Sequence, residues 1–101
     1  MARLIYSRRA FADLDRLTDF LLESEPGAAE NTINLITEAV SILERHPLIG
    51  RVLDGDIREL IISHGKTGYV ALYSYEKAYD TVLILAVRHQ REAGYAHAEV
   101  V

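Results

Sequence analysis

Apolar positions recur with helical spacing in the first half of the chain and with strand spacing in the second. Phe11, Leu14, Leu17, Leu21 and Leu22 step by threes and fours, which predicts an amphipathic helix ending near Ser24. Asp13, Asp15, Arg16, Asp19 and Glu23 fall on its other side. Ser7 stands where a hydroxyl can accept an unpaired N–H at the helix start. Before it, "ARLIY" (2–6) reads as a short strand. "SEPGAAE" breaks the pattern, and Pro26 is tolerated only near a helix start, where its missing N–H goes unmissed. A second helix is predicted from there to about Arg45, with Ala29, Ile33, Ile36, Val40 and Leu43 as its seam. So short a break implies an antiparallel helical hairpin.

"HPLIGRVLDGD" carries Pro47, Gly50 and Gly55 and reads as a loop. Beyond it, "IRELIIS" (57–63), "YVALYSY" (69–75) and "TVLILAVRH" (81–89) are β-branched and aromatic. The spacers "HGKTG" and "EKAYD" suit tight connections, so the three form an antiparallel meander. The fold class that follows is α+β: a short N-terminal strand, then a two-helix hairpin packed on one face of a three-stranded sheet. The strands carry apolar residues on both faces, so part of the second face needs a partner or stays exposed.

A chain of 101 residues makes one domain, spanning 1–101. The absence of cysteine excludes disulfides, thiolate catalysis and cysteine-ligated zinc. His46, His64, His89 and His97 include no pair at helical metal-ligand spacing, so neither a metal nor a cofactor is expected. Arginines interrupt the N-terminus, and "VLILAV" is far shorter than a membrane span, so the expectation is a soluble cytoplasmic protein without a membrane partner. A net charge of −4 argues against general nucleic-acid binding. The cations are nine Arg to two Lys, and the planar fork of Arg suits carboxylate or phosphate.

"IRELIISHGKTGYVALYSY" followed by "VLILAVRHQREAGY" resembles the RelE/ParE superfamily of bacterial toxins, over essentially the whole chain. That resemblance implies a microbial-RNase-like fold and the toxin role in a type II toxin–antitoxin, or plasmid-stabilisation, system. It also implies a cognate antitoxin that wraps the toxin and alone contacts operator DNA. RelE-like members cut messenger RNA on the ribosome, with cations on the middle strands. The corresponding set here is Arg58, Lys66, Arg91 and Tyr95, but Val70 stands where that branch carries an arginine. ParE-like members bind and inhibit DNA gyrase without a catalytic set, and the sparse cations and apolar sheet fit that branch better. A third possibility is a degenerate member that keeps its antitoxin and has lost toxicity.

Under the ParE-like reading, Arg88, His89, Arg91 and Tyr95 form a target-binding patch. Leu14, Leu17, Leu21 and Tyr73 line an antitoxin groove between the first helix and the meander. Each has a plainer alternative. Arg88 pairs with Glu59 or Glu92, Tyr95 closes the core, His46 caps a helix end, and "GKTG" (65–68) is a hairpin turn. Strict alternation also puts Arg88 and His89 on opposite faces.

Overall fold

A computed structural model describes residues 1–64 and 67–90 of the chain. The first two runs of the expected meander, β3 (Ile57–His64) and β4 (Thr67–Glu76), pair antiparallel from Ile57–Ser74 to His64–Thr67. Next to β4 lies β5 (Thr81–His89), also antiparallel, and its burial on both faces marks it as a central strand. On its far side β5 takes β1 (Arg3–Tyr6) in parallel. On the opposite edge, β2 (Arg51–Asp54) pairs with β3. The sheet therefore has five strands in the order β1-β5-β4-β3-β2.

β2 corrects the reading of residues 46–56 as loop. It is exposed on both faces, so no alternation betrays it. Gly55 and Asp56 make the turn into β3, with Gly55 at φ +57°, a backbone conformation that glycine adopts without steric cost. A Gly-Asp pair between two strands is a readable hairpin signal.

Two helices cover one face. α1 (Arg8–Ser24) begins at Ser7, whose hydroxyl accepts from the Ala10 N–H at 3.0 Å. After a 3₁₀ turn at Pro26–Ala28, α2 (Ala29–Val40) follows and tightens into a second 3₁₀ turn, Ser41–Glu44. The core between helices and sheet is built on Tyr73, Ile36, Leu43, Ile84, Val40, Val82 and Val87, all fully buried. Leu14, Leu17 and Leu21 belong to the same interior. Phe11 and Leu22 do not; both are exposed, and the Phe11 ring packs on Tyr6 at 5.6 Å. Asp13 takes a buried place on α1 instead.

The seam between α1 and β5 explains that exchange. β1 spans only four residues, so its pairing ends at Tyr6–Ile84 and leaves the rest of the β5 edge open. A bulge at Leu85 bends β5 at this point, where the register passes from Tyr73–Ile84 to Leu72–Ala86. α1 then takes over the role of the missing strand. The Ser7 N–H donates to Ile84 O at 2.9 Å, and its hydroxyl donates to Leu85 O at 3.1 Å. One turn on, Asp13 Oδ2 accepts the Val87 N–H at 2.9 Å. A carboxylate serves here because an unpaired buried N–H is costly and no strand is available to accept it.

Candidate functional site

Two arginines on the sheet were candidates for the site, and both are held by the fold. Arg88 is 9% exposed, and its Nη1 donates to Asp13 Oδ1 at 2.6 Å. The same carboxylate therefore satisfies a strand N–H and a guanidinium. Arg16 approaches Oδ1 from the solvent side at 3.8 Å. Breaking such a pair by removing one partner typically costs about 3–5 kcal/mol, because the other charge stays buried and uncompensated. Arg88 as an exposed binding residue is thus corrected: helix α1 covers the end of β5 and supplies its counter-ion. Among the described residues its partner is Asp13, not Glu59; Glu92 lies outside them. No local motif reveals this, since the two residues are 75 positions apart.

His89 lies on the opposite face from Arg88, as alternation required: the register sets His89 against Tyr69 and Arg88 against Val70. It is partly exposed, and its ring meets the buried Tyr69 edge-on at 5.3 Å. Arg88 and His89 therefore do not form one patch.

Arg58 sits on β3 opposite Tyr73. Its Nη1 donates to Gly50 O at 2.8 Å and to Leu48 O at 3.1 Å, so it fastens the segment before β2. The Gly50 N–H donates to the buried Tyr73 hydroxyl at 2.8 Å. Burial pushes the Tyr73 phenol above its usual pKa; the Gly50 N–H and the nearby Arg58 charge pull it part of the way back. Gly50 has no room for a side chain, because a Cβ would stand 2.5 Å from Tyr73 Oη and 2.8 Å from Glu59 O. On the other side of β3, Arg51 makes an exposed ion pair with Glu59. Beside it lies an open depression of about 380 Å³, bounded by Ile49, Arg51, Glu59, Ile61 and Gln90.

The expected antitoxin groove is corrected too. Leu14, Leu17, Leu21 and Tyr73 are all buried, because α1 turns its leucine row inward toward the sheet. Lys66, Arg91 and Tyr95 lie outside the described residues, as does the tail "AHAEVV". Among the described residues no cluster of His, Cys, Asp or Glu could hold a metal, and no helix is long and apolar enough to cross a membrane.

Comparison with known proteins extends the geometry. The family model described as the ParE toxin of the type II toxin–antitoxin system parDE matches residues 4–94. Toxin RelE3 of Caulobacter vibrioides is 39% identical over 84 residues, which cover 83% of this chain and 89% of that protein. Among solved structures, the chromosomal ParDE system of P. aeruginosa has a chain of the same fold, with a TM-score of 0.72 at 24% identity. That likeness covers 87% of this chain and 95% of the other. The E. coli RelBE toxin–antitoxin complex shares the fold at a TM-score of 0.60 and 14% identity, covering 87% and 95%. With a family model spanning most of its length and a close relative over 83% of it, the chain belongs to the ParE toxin family of type II toxin–antitoxin systems, within the RelE/ParE superfamily.

Proposed function

We infer that the protein is a ParE-like toxin that inhibits DNA gyrase by binding it, and that a cognate antitoxin neutralises it in the cytoplasm. One observation carries this reading: the arginines of β2, β3 and β5 are already committed. Cleavage of RNA through its own 2′-hydroxyl needs a base, an acid and cations placed around the phosphate. Arg88 is held by Asp13, Arg58 by two carbonyl oxygens and Arg51 by Glu59. Re-aiming Arg88 at a phosphate would strand Asp13 in the interior, and re-aiming Arg58 would release the segment before β2. A binding toxin needs neither change.

On this reading the contact includes His89 and the basic residues after it, with Arg91 as its cation and Tyr95 packing beside it. Replacing both with alanine relieves toxicity. The relation to a toxin named RelE3 favours a second reading, a ribosome-dependent endoribonuclease using Arg58 or Lys66 with Arg91 and Tyr95. Expression without antitoxin separates the two. DNA breaks and filamentation with continuing translation support gyrase inhibition, whereas an immediate halt with cut messages supports the nuclease. Healthy cells point to a family member that has lost toxicity.

A further inference from the structure

Resting on the reading of a toxin that acts by contact, we propose that Asp13 and Arg88 are positioning residues, whose clasp aims the end of β5 at the target. The strand departs from regular geometry just before that contact begins. β1 stops pairing at Tyr6–Ile84, and the bulge at Leu85 follows at once. A bulge bends a strand and re-aims the side chains beyond it. From there to His89, among the described residues, one edge of β5 has no neighbouring strand. Pairing with β4 holds the other edge as far as Tyr69–His89. On the open edge α1 supplies the hold. Ser7 donates to Leu85 O, and Asp13 takes the Val87 N–H with one oxygen and Arg88 with the other. His89 is the next residue, and Arg91 follows two places later.

Stability alone does not account for the charges. The open Val87 N–H needs only a neutral acceptor. Burying an ion pair strips water from both ions, and well-packed apolar side chains of similar volume often stabilise a fold as well or better. What the pair adds is direction. A single hydrogen bond would leave the strand end free to roll about it. Two bonds, from adjacent residues to the two oxygens of one buried carboxylate, fix the orientation of the strand as well as its distance from α1. His89, with its ring against Tyr69, inherits that orientation. So does the point from which the chain runs on to Arg91.

The test combines Asp13→Asn with Arg88→Met in the full chain. Asn keeps an oxygen for the Val87 N–H, and Met fills the space of the arginine stem without its charge. Readouts are melting temperature, affinity for purified gyrase and growth arrest without antitoxin. The double variant should melt near the wild type yet bind gyrase roughly tenfold more weakly, as expected of an end that holds the contact orientation about a tenth of the time. Two controls separate aim from stability. Gly50→Ala, beside β2, should lower the melting temperature while the folded protein binds gyrase as the wild type does. Arg16→Ala removes a second cation that approaches Asp13 and should change neither readout. Should the double variant misfold, Asp13→Asn alone should still bind more weakly than Gly50→Ala at a temperature where both are folded. A folded double variant with wild-type affinity and arrest overturns the proposal, as does affinity that falls only in step with melting temperature across the set. If the wild type arrests growth without binding gyrase, the gyrase reading falls by itself. The clasp then stands if the folded double variant relieves that arrest and falls if it does not. A wild type that neither binds gyrase nor arrests growth overturns both.

Discussion

The two ends of the sheet hold an arginine in contrasting ways. At the end of β5, Arg88 is enclosed with a carboxylate from a helix packed over it. At the start of β3, Arg58 reaches two backbone carbonyls of a segment that stays largely open to water. Around the first, nearly every residue is buried. Around the second, Leu48, Ile49 and Val52 are each more than half exposed. A charge placed in the interior must be matched by another charge, whereas one at the rim can be satisfied by carbonyls and solvent. The contrast also shows why counting arginines overstates the chemistry available, since both of these serve the fold.

This contrast can be broken at several points, and the β5 end should give the largest response. Asp13→Ala leaves Arg88 and the Val87 N–H without their partner and should lower stability by about 3–5 kcal/mol in urea unfolding. Adding Arg88→Met to it should recover much of that loss by removing the stranded charge. A single mutant that melts like the wild type would contradict the clasp. Next comes Gly50→Ala, which drives a methyl group into the Tyr73 ring and the Glu59 carbonyl. Its cost should be about 1–3 kcal/mol in the same assay. Arg58→Ala removes two hydrogen bonds at a partly exposed site and should cost about 1 kcal/mol. Under the binding reading it should leave toxicity intact at permissive temperature, and a loss of toxicity with no loss of stability would revive the nuclease. Arg51→Ala should change stability by no more than about 0.5 kcal/mol, with any effect vanishing in high salt, because the pair is solvent-screened.

Alkali offers a further probe of the core. Burial raises the pKa of both Tyr6 and Tyr73 above the usual 10.0. The folded state thus disfavours the phenolate, so their contribution is complete below pH 10 and falls as pH climbs beyond it. Unfolding midpoints followed from pH 8 upward should drop above about 10, and Tyr73→Phe should make that decline shallower.

The sequence was most readable where one principle acted alone. Ser7 announced α1, and Ile36, Val40 and Leu43, read from spacing as the seam of the second helix, are fully buried. Legibility failed where a tertiary partner overrode a local rule. Asp13 occupies a position that its chemistry assigns to water, because the shortness of β1 leaves β5 an open edge that a carboxylate can close. Phe11 and Leu22 look like core from spacing, yet the helix turns the row of Ala10, Leu14, Leu17 and Leu21 inward instead. The same rotation buries the leucines once assigned to an antitoxin groove. β2 escaped notice because an edge strand exposed on both faces has no period to detect. Of the candidate site, the opposite facing of Arg88 and His89 was legible from alternation; the ion pair that removes Arg88 from the surface was not.

The most direct test of action by contact uses purified protein in two parallel reactions. One contains gyrase with supercoiled DNA, and the other contains ribosomes with a defined transcript. The account predicts trapped, broken DNA in the first and an intact transcript in the second. A transcript severed in the ribosome reaction, at a rate that collapses with Arg91→Ala, together with undisturbed gyrase, would contradict it.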